Sequence, residues 1–394
     1  MTLMIKRSVI AFLFILLGIQ SANAQYRTIR GQVTDEAKHP LASANIGIIS
    51  NSITTITNRS GRFTLAIPAR FQNDSLRISY TGFQTITIAP KDLLPDTSLN
   101  IIILTKSFTG LPEVVVTIPD ARELIMEAVR RIPQNIFEDS ATISSFYREL
   151  VRKGEKPMVL SEAAFELFNT AKIQNKRRPV RLLQKRSVLD EKETAGLEFG
   201  MSTEAIHHFD IVREINNKGV LNTGDFKNYI FRYKGEGQYA GQPVIMIGFD
   251  QNDEIKKSLY KGTILLDKAT MAFVSFEFGS SPKGIKYAEY ASGKMKLLLR
   301  LLSISITLNG DQYKINYRKL NNRWILSDAK TFTSLTFKSH RRQFDFPCFI
   351  SGDFINTAID TSMRTPFDAM DLLPLNRSIK FEPDEPGFVY WKDY

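Results

Sequence analysis

Between residues 29 and 104, apolar and polar positions alternate in short runs. Ile29, Gly31 and Val33 alternate with Arg30, Gln32 and Thr34, the period of two expected of a half-buried strand. The series continues through Ala44 to Ile49, Ile53 to Thr57, Arg62 to Ile67, Leu76 to Tyr80, Ile86 to Ile88 and Ile101 to Leu104. In the fourth run Phe63, Leu65 and Ile67 face one way, and Arg62 and Thr64 the other. Asn58-Arg59-Ser60-Gly61 predicts a four-residue hairpin, with glycine where a positive φ is needed. Short strands at regular spacing, with no helical period between them, predict a β-sandwich.

After residue 116 the period changes. Asp120-Ala121-Arg122-Glu123 has capping-box spacing, and Ala121, Leu124, Ile125, Ala128, Val129 and Ile132 share one face of a helix that Pro133 ends. Thr142 to Val151 and Met158 to Phe168 read as strands about a charged tip, Arg152 to Pro157. Further strands are predicted at Tyr229 to Tyr233, Pro243 to Phe249, Gly262 to Leu266 and Ala272 to Phe278. Ser303 to Leu308 and Gln312 to Tyr317 predict a hairpin around Asn309-Gly310-Asp311, and Trp324 to Phe337 follows Asn321-Asn322. Consecutive strands with brief turns predict an antiparallel meander with one or two helices. The fold class is therefore mainly β, with a sandwich over 25–116 and an α+β domain over 117–394.

Composition adds a compartment. Lys6 and Arg7 precede the apolar run Val9 to Leu17, and Ala22 and Ala24 occupy the small-residue positions that a signal peptidase reads. These features predict a secretory signal over 1–24, cut after Ala24; the apolar run is too short for a membrane span. A lipid anchor needs a cysteine directly after the signal, and Gln25 stands there. The mature chain is thus expected in the periplasm or on the periplasmic face of the outer membrane, without a lipid anchor. With 394 residues, 43% hydrophobic and 24% charged, the chain has enough apolar content for two or three packed domains, which excludes disorder. A single cysteine excludes an internal disulfide framework. Its apolar neighbours, Phe346, Pro347, Phe349 and Ile350, predict a buried, unreactive thiol.

Two stretches of the chain resemble known families. Ile29-Arg30-Gly31-Gln32-Val33-Thr34-Asp35 and His39-Pro40-Leu41-Ala42-Ser43-Ala44-Asn45-Ile46 resemble the opening of carboxypeptidase-regulatory-like domains. Thr57 to Leu65 and Leu76 to Phe83 resemble the later blocks of that family. The resemblance implies a transthyretin-like sandwich, as found beside zinc carboxypeptidases, before the plug of TonB-dependent transporters and in other exported proteins. Tyr239 to Ile247 with Tyr260 to Thr270 resemble exported envelope proteins of unknown function, in which such a sandwich precedes a large curved antiparallel sheet like that of lipoprotein carriers. Some of those continue into a barrel, which is not expected here because no series of further alternating strands follows. A zinc carboxypeptidase needs His-x-x-Glu. Three residues after His39, His207, His208 and His340 stand Ala42, Asp210, Ile211 and Gln343, so the motif is missing.

The remaining constellations are modest. Glu204, His207, His208, Asp210 and Glu214 cluster on an expected short helix, where Glu204 and His208 are four apart; a solvated helix face is the ordinary reading, and no metal is assigned. Lys172, Lys176, Arg177, Arg178, Arg181, Lys185 and Arg186 form a basic run without an acid, which an anionic surface of lipid or lipopolysaccharide phosphates would suit. Met295 to Leu302 has the look of an amphipathic surface segment, with burial against the sheet expected by default. No G-x-S-x-G, P-loop or dinucleotide-binding glycine pattern occurs.

The expectation is an exported, non-catalytic envelope protein without a cofactor. It would bind or scaffold envelope proteins, outer-membrane lipids or glycans, and no nucleic acid. The alternatives are a periplasmic carrier holding a lipid or other hydrophobic ligand in an apolar concavity of the C-terminal sheet, and a hydrolase with an unrecognised site.

Overall fold

The computed structural model describes residues 26–42, 44–48, 53–80, 83–95, 98–106, 120–170, 178–190, 203–215, 222–289, 293–341, 343–362, 367–368 and 371–373. The expected signal, its cleavage point, the boundary at 116 and the side chains of Lys172, Lys176 and Arg177 lie outside them. The fold is mainly β.

The N-terminal strands are β1 (Tyr26–Asp35), β2 (Asn45–Ile48), β3 (Thr54–Ile56), β4 (Arg62–Pro68), β5 (Leu76–Ser79), β6 (Ile86–Ile88) and β7 (Leu99–Leu104). They form two sheets, ordered β4-β1-β7 and β3-β2-β5-β6. Ile29, Val33, Phe63, Leu65 and Ile67 from one sheet bury against Ile46, Ile48, Leu76 and Ile78 from the other. Period-two alternation allows this, because every second residue of each strand points between the sheets. The expected hairpin at 58–61 is corrected: β3 pairs with β2 and β4 with β1, so this turn carries the chain from one sheet to the other. Asn58 Oδ1 accepts from the amides of Ser60 and Arg62, which closes the turn locally. Gly61 adopts φ +73°, and a Cβ there would lie 2.5 Å from the Val33 carbonyl oxygen, so only glycine fits without displacement.

The second unit has ten strands: β8 (Ala141–Lys153), β9 (Lys156–Asn169), β10 (Val180–Leu189), β11 (Tyr229–Tyr239), β12 (Gln242–Gln251), β13 (Tyr260–Asp267), β14 (Phe273–Ser280), β15 (Ser305–Leu320), β16 (Arg323–Ser339) and β17 (Phe344–Asp360). Their order in the single sheet is β10-β9-β8-β17-β16-β15-β14-β13-β12-β11, antiparallel throughout. Strands β10 and β11 are consecutive in the chain yet form opposite edges. The described residues of the connection between them form two short helices, Thr203–His208 and Ile211–Glu214, and a 3-10 helix, Thr223–Asn228. Their Ile206, Ile211, Val212 and Ile215 join Ile125 and Ala128 of the helix Ala121–Arg130 in the main core, over Ile143, Phe165, Ile247, Phe276 and Phe354. Asp120 caps the latter helix as expected, accepting from the Arg122 amide at 2.9 Å. Pro133 does not simply end it but sits in the first turn of a further short helix, Ile132–Asn135, where its missing N–H costs nothing.

The hairpin expected at 309–311 is also corrected. Strand β15 runs unbroken past Asn309-Gly310, and the register shifts there by a bulge. Continuing the strand sets Ile306 opposite Phe337 and Leu308 opposite Leu335, a second apolar cluster that an early turn would have split. The reversal falls instead at Asn321 and Asn322, both at positive φ, as a two-residue connection requires.

Cys348 lies inside that second cluster and is fully buried. Burial, helped by the Glu149 carboxylate, pushes its thiol from 9.0 up to about 11. Native chain at pH 8 should therefore react with iodoacetamide about a hundredfold more slowly than urea-unfolded chain, from the loss of thiolate alone. Because the folded value is the higher one, the neutral thiol's contribution to stability is fully present below pH 9 and is lost as the pH rises towards 11. Replacing Cys348 by alanine should remove that alkaline component from the stability profile.

Candidate functional site

Strand β8 is apolar on both faces. Ile143 and Tyr147 point into the helix-covered core, whereas Phe146 joins Ala164, Ile355 and Ile56 of the sandwich in a small buried cluster. The sheet thus has an inner face closed by helices and an outer face on which the sandwich sits. The Ile56–Ser60 end of the sandwich leads the contact. Lys330 Nζ donates to the Thr57 carbonyl at 2.9 Å, and Arg59 donates to the Ser351 hydroxyl. The Arg59 guanidinium also lies over the Phe332 ring, 6.0 Å from its centre. On the far side of the contact, Asn45 donates to the Tyr239 hydroxyl at 3.2 Å and Arg77 to the Ala240 carbonyl at 3.2 Å.

Between these points the two units leave a cleft of about 290 Å³. Ile56, Phe146, Leu150 and Ile355 supply an apolar lining, and Arg59, Arg148, Lys330 and Asp353 supply the charges. These charges are held in place. Arg148 Nε donates to Glu162 at 2.8 Å, and Lys330 lies 3.6 Å from Asp353. Burial lowers the Lys330 ammonium from its ordinary value, and the Asp353 and Asp328 carboxylates partly offset this. An apolar cavity of roughly 150 Å³ takes up benzene, so this cleft suits a group about twice that size, such as a naphthyl ring or a short acyl chain. A second interdomain cavity of about 290 Å³, beside Arg77, Tyr239 and Lys319, has more polar walls. On the inner face, the void among the described residues Ala128, Val212, Tyr317 and Trp324 is about 10 Å³.

The described residues among those singled out from the sequence fall elsewhere. Arg178 is buried and donates to Asp210 Oδ2 at 2.9 Å. Arg181 pairs with Glu166, and Arg186 with Glu162. A bulge between Leu182 and Gln184 restores Arg186 to the outer face that Arg181 occupies and turns Lys185 inward, where it is buried. Arg148, Glu162 and Arg186 consequently form a charge ladder across β8, β9 and β10. Arg181 and Arg186 stay partly exposed at that sheet edge.

The histidine cluster is also divided. His207 is buried and His208 exposed, and Glu204 has no described side chain. Asp210 is engaged by Arg178, by Arg213 Nε at 3.3 Å and by the Tyr317 hydroxyl at 3.0 Å. Among the described residues no group of three His, Cys, Asp or Glu side chains is placed to hold a metal. The Asp210 constellation fastens the crossing segment to the inner sheet face. Burial, followed by the Asp210 charge, raises the Tyr317 hydroxyl well above its ordinary value, so it stays a donor.

The cleft residues escaped the sequence reading because Phe146 and Ile355 look like ordinary core. A usable signal existed: Phe146-Tyr147 and Ala163-Ala164-Phe165 place apolar side chains on both faces, the mark of strands covered on both sides.

Comparison with known proteins agrees with the reading of the N-terminal sandwich. Residues 29–116 match the model of the CarboxypepD_reg-like domain, and the chain carries that domain there. No curated protein matches the sequence. Among solved structures, a DUF1329 family protein from Desulfovibrio piger aligns with 64% of this chain and 99% of its own, at 12% identity and a TM-score of 0.27. A LolA superfamily protein from Nitrosomonas europaea covers 61% of this chain and 93% of its own, at 9% identity and a TM-score of 0.20. MucB in complex with MucA covers 64% and 100%, at 10% identity and a TM-score of 0.19. Likenesses at these scores carry no functional argument. Among the described residues no helix is long and apolar enough to cross a membrane.

Proposed function

We propose that the chain is an exported, non-catalytic binding protein of the cell envelope, whose sandwich and ten-stranded sheet together hold a small apolar or amphipathic molecule. The observation that carries this reading is the cleft of about 290 Å³, apolar in its lining and bordered by charged side chains that are already fixed by partners. Such sites commonly lie at domain interfaces and combine an apolar wall with a few placed polar groups. The signal-like leader supports export, and the CarboxypepD_reg-like domain acts here as one wall of the site. A carrier site beneath the sheet has less support, because the crossing helices occupy that face.

Fluorescence of N-phenyl-1-naphthylamine provides the test. One equivalent should bind with blue-shifted emission. Leu150→Trp, which adds bulk to the cleft wall from a half-buried position, should weaken binding about tenfold or more while leaving the thermal midpoint within a few degrees. Unchanged binding in that variant would remove the cleft from consideration.

A further inference from the structure

The helix Gly293–Leu301 closes the second apolar cluster by burying Leu299 beside Phe337, Phe346 and Cys348. Its opposite side departs from the burial expected of this segment. Leu297 is 58% exposed and Leu301, one turn later, 66%. Residues four apart on a helix share a face, so the two leucines project together. Lys296 on the same helix pairs with Glu289 at 2.8 Å, and Glu289 lies in an open recess with Lys256, Lys257 and Tyr287. Tyr287 is itself exposed. One end of the molecule thus presents leucines and a tyrosine beside exposed bases.

Most of the nearby acids are engaged. Glu289 is held by Lys296, Asp253 by Lys283 at 2.7 Å, and Asp311 Oδ1 accepts from the Ser280 amide; Glu254 stays exposed. Lys256, Lys257 and Arg300 are exposed and form no ion pair with any described residue. Aliphatic side chains flanked by lysine and arginine suit the boundary between headgroups and acyl chains, where the leucines bury and the cations meet phosphates. A second copy of the chain fits less well, since an isologous contact would bring these cations against one another.

We infer that this end of the molecule docks on an anionic phospholipid bilayer, with Leu297 and Leu301 entering the interface and Lys256, Lys257 and Arg300 contacting lipid phosphates. The surface is separate from the interdomain cleft and does not depend on it.

Cosedimentation of the full chain with vesicles of phosphatidylcholine plus phosphatidylglycerol, against phosphatidylcholine alone, tests this. Binding should favour the anionic vesicles and weaken as salt is raised. Leu297→Ser with Leu301→Ser should lower partitioning about tenfold or more without lowering the thermal midpoint, because both side chains already face water. Lys256→Gln, Lys257→Gln and Arg300→Gln together should lower it at least about fivefold and flatten the salt dependence. Leu150→Trp should bind vesicles as the parent does, which keeps this result distinct from the fate of the cleft. Equal binding of the leucine variant and the parent would overturn the inference. So would equal binding to neutral vesicles, or a dimer in light scattering that the leucine substitutions dissociate.

Discussion

Replacing Asp210 by alanine should cost about 3–5 kcal/mol of unfolding free energy, the range for removing one partner of a buried ion pair. The Asp210 side chain is 2% exposed and that of Arg178 4%. Without the carboxylate, the Arg178 guanidinium is left buried, and the Tyr317 hydroxyl loses its acceptor. Arg213 is less affected, since it also donates to the Phe137 carbonyl and to Asn169. Urea denaturation followed by circular dichroism should show the lower midpoint. The double variant Arg178→Met with Asp210→Leu should recover most of the loss, because an apolar pair of similar volume replaces the buried charges. If the single variant proves as stable as the parent, the crossing segment is not fastened in this way.

A loss of similar size is expected for Phe354→Ala. Phe354 is fully buried on the inner side of β17, its ring centre 5.4 Å from that of Phe209 in the crossing segment and 6.1 Å from that of Phe165 on β9. Truncation removes the ring and leaves a cavity that neighbouring strands cannot close, a cost of about 3–5 kcal/mol. Phe354→Leu should cost clearly less, because it keeps much of the volume. The same denaturation experiment ranks the three proteins, and a loss under about 1 kcal/mol for alanine would mean that the inner face repacks freely.

Both variants act on the feature that was least visible in the sequence. Many strands with a period of two are legible in the sequence, because one buried face per strand leaves a direct trace in the chain, as at Phe63, Leu65 and Ile67, whereas Val180–Leu189 and Phe344–Asp360 are not predicted. Pairing across long distances leaves no such trace. That β17 lies beside β8 follows from where the meander returns, and only then do β10 and β11 fall at opposite edges, with Ile206, Ile211, Val212 and Ile215 between them packed on the inner face. Short-range signals misled where two partners competed for the same residues. Asn309-Gly310 resembles a turn locally, yet the apolar pairs on either side hold the strand extended. The carboxylate partners of Arg178, Arg181 and Arg186 in the basic run, Asp210, Glu166 and Glu162, come from other elements and so leave no trace beside them in the sequence.

The same reasoning locates the candidate ligand site. An apolar residue on the outer face of a central strand needs a cover, and the sandwich supplies it only in part, leaving the cleft beside Phe146 and Ile355. The most direct measurement is anomalous diffraction from crystals grown with 8-bromooctanoic acid. The bromine should appear in the cleft walled by Phe146, Leu150, Ile355 and the Ile56–Ser60 turn, with the carboxylate towards Arg59 or Lys330. A bromine peak beneath the crossing helices on the inner face, or no ordered bromine at saturating ligand, would contradict the interdomain site.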